Sequence, residues 1–383
     1  MSRLLLVIAT VLLSVFSFAV QQDDSWSIRS VMPVDALVRE SGHVGGYAFS
    51  EAANMIAWID WRDLCLYSRL SKLTRCYRVP YDPWRLSWSP DGNAILLMAG
   101  NNIYNAYLQV FDLRSERFTL LEGDHWVSAS GFWSGSGETI YFLSVGWRGT
   151  NEENPFLVAY SLRTQTYTRT DLGGIFPAQT KNEVKLEAVS PDGESLIISV
   201  PYDYVDGASL GLWMIDIGAR RLKQIAPMRD LYSLLPECYY EPSNSDIMDV
   251  YWNQERGALW VMIGRGLPSR PIGVVSIDLE TFEQTPLVPV RFYSASDSSD
   301  IISYPSGHIT PNGALFFYLQ ESSFDKWYLS SLYAIPLDSP GAEPLLVIDP
   351  VTPDCIPEFV LVEVEHQQQV HAYLADYSHF CPG

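Results

Sequence analysis

A short polar turn recurs between pairs of apolar strands, and it constrains the fold more than any other feature of the sequence. Residues 86–97 and 186–198 hold the two complete copies, in which a Ser-Pro-Asp-Gly turn separates an aromatic or apolar strand from a second apolar strand. Proline presets φ, aspartate bonds its own backbone and glycine accepts a positive φ, so the tetrapeptide closes a tight antiparallel turn. Looser copies span residues 48–58, 132–142, 250–260 and 309–317.

Two further strands follow the turn in each unit. In the second unit, residues 108–113 form a third strand that ends at a polar turn, and residues 118–121 form a short fourth strand. Four antiparallel strands that repeat about every forty residues are typical of blades arranged around an axis. The sequence therefore predicts an all-β fold, a β-propeller of four-stranded antiparallel blades. Six units begin near residues 46, 85, 129, 185, 247 and 302.

The two ends of the chain supply strands that belong to none of these six units. Residues 27–34 read as one strand, and residues 359–365 and 370–376 read as a hairpin. A composite blade made from both ends would close the ring and remove the exposed sheet edges of an open array. We therefore predict seven blades, with six as the alternative. In this interpretation residues 20–45 contribute a closing strand and residues 46–383 form the propeller.

The turn from Trp88 to Gly92, followed by an apolar strand, resembles the repeat of TolB-type β-propellers, a WD-repeat-like family with a Pro-Asp-Gly motif. The resemblance covers most of the chain after its first twenty residues. It implies a ring of six blades and protein contacts in a cell-envelope assembly.

The N-terminal residues have the layout of a secretory signal. Arg3 precedes an apolar run over residues 4–20, and Ser17 and Ala19 provide the small residues of a cleavage site after Ala19. The sequence predicts a signal peptide over residues 1–19, with retention as a membrane anchor as the alternative. We therefore expect a secreted or periplasmic protein of the cell envelope.

Export changes how the five cysteines are interpreted, because disulfides persist in oxidising compartments. Cys65 and Cys76 lie symmetrically about the turn of a predicted hairpin and are the first predicted pair. Cys355 and Cys381 form a second predicted pair at the C-terminus, which leaves Cys238 over. The spacing matches no zinc motif, so we predict no metal site of that kind.

The formal net charge of −20 argues against nucleic acid and anionic membranes as partners. We expect a protein, peptide or glycan ligand and no membrane contact after signal cleavage. No cofactor is predicted except Ca²⁺, for which acidic loops supply oxygen ligands.

The long loops should share one face of the ring, because the tight turns share the other. Long loops on a rigid support are where binding usually resides. Three of them are predicted at residues 144–155, 201–211 and 320–330. The candidate ligand-binding residues on this face are acidic and aromatic: Trp147, Glu152, Tyr202, Asp203, Tyr204, Asp206, Tyr239, Tyr240 and Trp327. Such a surface suits a sugar ring or a cation, whereas the alternative is that the rings cap the sheets and the carboxylates are solvated.

Catalytic motifs give little support to an enzyme. Gly135-Ser136-Gly137 occupies a blade turn, where glycines serve conformation, and the six histidines form no metal-binding pair. The predicted function is a noncatalytic binding module that presents its long-loop face to a partner. The alternative is a carbohydrate-active hydrolase or lyase that uses carboxylates from several blades.

Overall fold

The computed structural model describes residues 26–33, 44–99, 107–122, 126–145, 156–172, 185–200, 211–234, 245–265, 270–288, 307–310, 314–324, 327–339, 344–351, 359–366 and 369–376. These residues form seven antiparallel sheets, which are the blades of a propeller. The predicted fold class is confirmed, with seven blades and not six.

Blades 1 to 6 each contain four strands that pair in chain order. Blade 1 comprises β2 (Val44–Ser50), β3 (Met55–Asp60), β4 (Asp63–Ser68) and β5 (Thr74–Arg78). Blade 2 comprises β6 (Pro83–Trp88), β7 (Ala94–Ala99), β8 (Tyr107–Asp112) and β9 (Arg117–Glu122). Blade 3 comprises β10 (Trp126–Trp133), β11 (Thr139–Val145), β12 (Phe156–Ser161) and β13 (Thr166–Asp171).

The second half of the ring continues this order. Blade 4 comprises β14 (Lys185–Val189), β15 (Ser195–Val200), β16 (Gly211–Asp216) and β17 (Arg221–Pro227), and the helix α1 (Met228–Ser233) follows it. Blade 5 comprises β18 (Ser245–Asn253), β19 (Ala258–Arg265), β20 (Arg270–Asp278) and β21 (Gln284–Val288). Blade 6 comprises β22 (Gly307–Ile309), β23 (Leu315–Phe324), β24 (Trp327–Pro336) and β25 (Leu345–Val351). Blade 7 comprises β1 (Ser27–Pro33), β26 (Phe359–His366) and β27 (Gln369–Asp376).

Buried side chains between neighbouring blades hold the ring together. Each neighbouring pair, including blades 7 and 1, shares one cluster of buried apolar residues. Between blades 1 and 2, for example, Leu64 packs in one cluster with Ile95 and Phe111, and all three side chains are fully buried. Burial of such side chains is the main favourable contribution to folding, so the closed ring is stabilised at every interface.

The Ser-Pro-Asp-Gly turns share one hydrogen-bonded geometry. The Ser190 hydroxyl donates to Asp192 Oδ1 at 2.5 Å and accepts from the Ser195 N–H at 2.8 Å, and Ser89 makes the equivalent bonds in blade 2. The hydrogen bond from Ser190 lowers the pKa of Asp192. Gly92 has a φ of +71°, and an added Cβ would lie 2.6 Å from the backbone nitrogen of Ala53 in blade 1. The motif thus fixes its own turn and lets successive turns pack closely.

Blade 7 reverses the order of the other blades. Contacts of β2 with β6, β10 with β14 and β14 with β18 place the first strand of each unit around the axis. In blade 7 the strand β27 lies beside β2, and β1 lies beside the outer strand β25. The predicted composite blade therefore exists, with a strand from near the C-terminus innermost and β1 outermost.

A polar cluster joins this blade to blade 1. Ser30 Oγ in β1 donates to Glu363 Oε2 in β26 at 2.7 Å, and Arg69 Nη2 in blade 1 donates to Glu363 Oε1 at 2.7 Å. Arg69 Nη1 also donates to Asn54 Oδ1 at 3.2 Å. Glu363 thus links the N-terminal strand, the C-terminal hairpin and the next blade.

Cys65 and Cys76 lie directly opposite each other in β4 and β5 and form a disulfide, which confirms the first predicted pair. This bond is compatible with an extracellular or periplasmic protein. Cys238, Cys355, Cys381 and the predicted signal peptide over residues 1–19 lie outside the described residues. In the described part of the chain, no helix is both long and apolar enough for a membrane span.

One local prediction is wrong. Residues 320–330 were expected to form a loop, but the ladder between β23 and β24 continues to Phe324 and Trp327, and residues 325–326 lie outside the described residues. The aromatic residue types in this stretch have high strand propensity, which favours the longer ladder. The connection after blade 4 begins with α1, which buries Met228 and Leu231 against blades 4 and 5.

Candidate binding site on the propeller axis

The two faces of the ring carry different connections. The first-to-second and third-to-fourth strand turns lie on one face, which we call the turn face, and the remaining connections lie on the opposite loop face. Eight of the predicted ligand-binding residues lie outside the described residues: Trp147, Glu152, Tyr202, Asp203, Tyr204, Asp206, Tyr239 and Tyr240. Trp327 is the first residue of β24 and pairs with Phe324. Their role on the loop face stays a prediction.

A cavity of about 750 Å³ lies inside the ring at the turn-face end of the inner strands. Residues of blades 1, 2, 6 and 7 line it: Tyr47, Ala48, Phe49, Ser50, Glu51, Ala52, Trp88, Ser89, Pro90, Ile309, Ala372, Tyr373 and Leu374. Its volume is within the usual range of ligand pockets, about 300 to 1,000 Å³. This axial cavity cannot be predicted from the sequence, because its walls come together only when the ring closes.

The wall of the axial cavity is aromatic and held in place by the strands around it. The Trp88 indole Nε1 donates to the Ala48 carbonyl of the preceding blade at 3.1 Å. Tyr373 is only 4% exposed, and its ring centroid lies 6.3 Å from that of Phe317. Trp133 repeats the inter-blade bond with the Ser87 carbonyl at 3.4 Å, so the Trp88 contact belongs to the blade repeat. A rigid aromatic wall of this kind is preorganised for an apolar group.

Polar groups stand at the rim of the axial cavity. His371 Nδ1 lies 3.4 Å from Glu51 Oε2, and the Glu51 side chain is 54% exposed. Burial, together with the nearby Glu255 and Tyr373, raises the pKa of Tyr251 in β18 to about 12. Tyr251 is therefore a neutral phenol at physiological pH. The rim accordingly offers a carboxylate to a cationic group.

A second group of polar side chains lies on the first two strands of blade 4 and the inner strand of blade 5. Glu187 is the extra residue of a β-bulge in β14 and is 5% exposed. It accepts a hydrogen bond from Ser199 Oγ, and Lys185 Nζ lies 3.1 Å from its Oε2 atom. Burial raises the pKa of the Glu187 carboxyl, Lys185 and Ser199 oppose the shift, and Asp249 of the next blade adds to it. Such a carboxyl retains its proton more readily than an exposed one, which is a property of general acids.

No metal centre is evident in the described part of the chain. There, no group of three or more His, Cys, Asp or Glu side chains is placed to hold an ion. The acidic loops considered for Ca²⁺ lie mainly outside the described residues. Calcium binding by those loops therefore stays a prediction.

No protein-family model matches the chain, and no curated protein sequence is significantly similar to it. Among solved structures, an oligogalacturonate lyase from Vibrio parahaemolyticus is similar with a TM-score of 0.53 and 11% identity, over 92% of this chain and 98% of that one. A manganese complex of an oligogalacturonate lyase has a TM-score of 0.51 and 12% identity, over 88% and 90% of the two chains. TolB from Acinetobacter baumannii has a TM-score of 0.39 and 12% identity, over 83% and 76%.

These likenesses concern the fold alone, because the identities are low. The neighbours have the repeated four-stranded sheets of β-propellers, as this chain does. The TM-score of the TolB structure is too low to support an argument, so the TolB-type resemblance rests on the turn motif.

Proposed function

We propose that the protein is an exported, noncatalytic binding module whose axial cavity receives an apolar side chain of a partner polypeptide. The observation that carries the proposal is the cavity itself, with Tyr47, Phe49, Trp88 and Tyr373 in its wall. Aromatic pockets of this size provide the anchor positions that dominate peptide recognition. The Cys65–Cys76 disulfide supports an oxidising compartment.

The chemistry of the partner follows from the charges around the axial cavity. Glu51 stands at the rim, and the whole chain carries a net charge of −20. Electrostatic complementarity favours a basic partner, and it acts mainly on the association rate and specificity. The expected ligand is a segment in which an apolar residue neighbours a lysine or arginine. The TolB-type turn motif agrees with this proposal, since that resemblance implies protein contacts in the cell envelope.

The loop face belongs to the same proposal as a second contact surface. Its predicted acidic and aromatic residues, Trp147 to Trp327 as named above, would extend the contact to a larger protein, a peptide or a glycan.

A random peptide library displayed on phage, selected against the immobilised protein, tests the axial cavity. We expect enriched peptides with adjacent apolar and basic residues. Ala52 lines the cavity and is exposed, so Ala52→Trp should fill the opening and weaken these peptides at least tenfold. Ala219 is exposed in a turn of blade 4, and Ala219→Trp is the matched control. An absence of enriched peptides, or equal binding to the Ala52→Trp variant, would refute the proposal.

A carbohydrate-active enzyme is the second candidate, and the buried Glu187 is the observation that favours it. A carboxyl with a raised pKa beside Asp249 of the next blade suits acid and base roles. Two of the structural neighbours are described as oligogalacturonate lyases, and they share only the fold. Assays of oligogalacturonate and a panel of neutral glycans, with Glu187→Gln and the exposed Glu194→Gln as control, separate the candidates. No turnover by the unmodified protein would eliminate the enzyme.

A further inference from the structure

Exposed aromatic rings gather on the loop face of blades 1 and 2, away from the axial cavity. Trp61 is 65% exposed, Tyr81 is 37% exposed and Trp84 is 36% exposed. The Tyr81 ring stacks on that of Tyr107, with centroids 4.6 Å apart and planes at 17°. Trp61 lies in the β3–β4 turn, Tyr81 and Trp84 lie near the start of β6, and Tyr107 is the first residue of β8. The turn and the starts of both strands are on the loop face. We call the four residues the aromatic platform.

Direct contacts hold the parts of the aromatic platform together. Arg62 Nε forms an ion pair with Asp82 Oδ1, and the Val79 N–H donates to the Arg62 carbonyl at 2.8 Å. Trp61 is one residue from this ion pair along the chain, and Trp84 is two residues from it. Both tryptophans are therefore close in the sequence to one pair of exposed, oppositely charged side chains.

Trp61 has a backbone conformation that bulky residues adopt rarely. Trp61 has a φ of +54° in the two-residue turn between Asp60 and Asp63. Asparagine or glycine is the usual residue at such a position, and a bulky residue with positive φ is an outlier. Six other described non-glycine residues also have a positive φ, so the inference rests on the exposure of the Trp61 ring and not on its backbone.

We propose that the aromatic platform binds a neutral glycan chain. Flat tyrosine and tryptophan rings present apolar faces to the C–H faces of sugar rings, and the Arg62 and Asp82 side chains supply hydrogen bonds to hydroxyl groups. This inference rests on the loop-face part of the proposed function and deepens it by naming the residues and the ligand class, whereas the axial cavity lies at the turn face.

The local charges decide which class of partner the aromatic platform suits. Asp60, Asp63 and Asp82 balance Arg62, Arg78 and Arg85 around the rings. A balanced set gives no attraction for a polyanionic glycan. A protein partner would require a continuous apolar centre depleted of charges, whereas here an exposed ion pair joins the residues next to Trp61 and Tyr81.

Native gel electrophoresis through neutral polysaccharides tests the proposal. The probes are hydroxyethyl cellulose, glucomannan, mixed-linkage β-glucan, xylan and dextran, with polygalacturonate as the anionic probe. We expect at least one neutral polysaccharide to retard the protein. The Trp61→Gly variant should lose at least tenfold in affinity while unfolding at a higher denaturant concentration, because glycine relieves the positive φ. A higher stability would exclude misfolding as the reason for lost binding.

Two controls separate this test from that of the axial cavity. Tyr167 is 54% exposed on the outer strand β13 of blade 3, and Tyr167→Ala should bind as the unmodified protein does. The Ala52→Trp variant should lose peptide binding and keep glycan binding. The proposal is overturned if no neutral polysaccharide retards the protein, if polygalacturonate alone does, or if Trp61→Gly binds with unchanged affinity. Loss of a protein partner in Trp61→Gly without any polysaccharide binding would also overturn it.

Discussion

The packing of successive turns around the ring predicts that Gly92 tolerates a methyl group poorly. Its φ is +71°, and an added Cβ would lie 2.6 Å from Ala53 N and 2.9 Å from Ser50 Oγ. Two other glycines serve as controls that distinguish the cost of a positive φ from the cost of steric overlap in Gly92→Ala. Gly257 has a φ of +59° with open space around it, and Gly218 has neither a left-handed φ nor an atom closer than 3.6 Å.

The magnitudes follow from these three environments. A left-handed alanine costs about 1–2 kcal/mol, and the less flexible unfolded chain returns about 0.4–1 kcal/mol. Gly257→Ala should therefore lower the free energy of unfolding by about 1 kcal/mol. Overlap with a backbone atom adds about 1–3 kcal/mol, so Gly92→Ala should cost about 2–4 kcal/mol. Gly218→Ala should be neutral or stabilise by up to about 1 kcal/mol.

Urea unfolding followed by tryptophan fluorescence measures all three free energies, and the slope m should stay constant if the variants change only stability. The reasoning fails if Gly92→Ala and Gly257→Ala destabilise equally. Equal costs would mean that the turns of blades 1 and 2 do not touch. It also fails if Gly218→Ala is as costly as Gly92→Ala.

Four further predictions concern charges, the disulfide and calcium. Hydrogen bonds from Ser30 and Arg69 lower the pKa of Glu363, so its contribution is present above its unfolded pKa and is lost as the pH falls through the folded value. Glu363→Gln should cost about 0.2–1 kcal/mol at pH 7 and nothing near pH 3 in urea unfolding; a constant difference would contradict the coupling. Burial raises the pKa of Glu187, so its favourable contribution is present at low pH and is lost as the pH rises through the folded value. Glu187→Gln should therefore stabilise the protein at pH 8 and not at pH 4, whereas the control Glu194→Gln should do neither. Reducing the disulfide, which spans 11 residues, should lower the free energy of unfolding by about 3 kcal/mol, and dithiothreitol should have no such effect on a Cys65→Ala/Cys76→Ala variant. Added Ca²⁺ should raise the melting temperature and a chelator should lower it; an unchanged melting temperature would exclude a calcium site.

The architecture could be predicted from the sequence, because each copy of the repeat contains the residues whose hydrogen bonds form its turn. Ser190 bonds to both Asp192 and Ser195 within a six-residue segment, and Gly193 has a positive φ. Alternating apolar residues at both ends of the chain also identified the strands of blade 7. The disulfide could be predicted because Cys65 and Cys76 flank a short hairpin symmetrically.

Features that depend on distant parts of the chain could not be predicted in the same way. Ser50, Ser89 and Tyr373 line the same axial cavity, although they are far apart in the sequence. No local sequence pattern predicts that they come together. The long ladder after Phe317 was hidden because serines and a glutamate interrupt its apolar pattern. The positive φ of Trp61 could not be predicted, because tryptophan rarely adopts that conformation.

The placement of β1 in blade 7 determines when the molecule can finish folding. Ser30 and its partner Glu363 are separated by 333 positions, so during synthesis the outermost strand of that blade must wait while the other six blades are made. Closing so large a loop is a slow, late step, and until then one strand and several sheet edges have no partner. A chain emerging from an export channel would therefore need protection against aggregation until its final hairpin arrives.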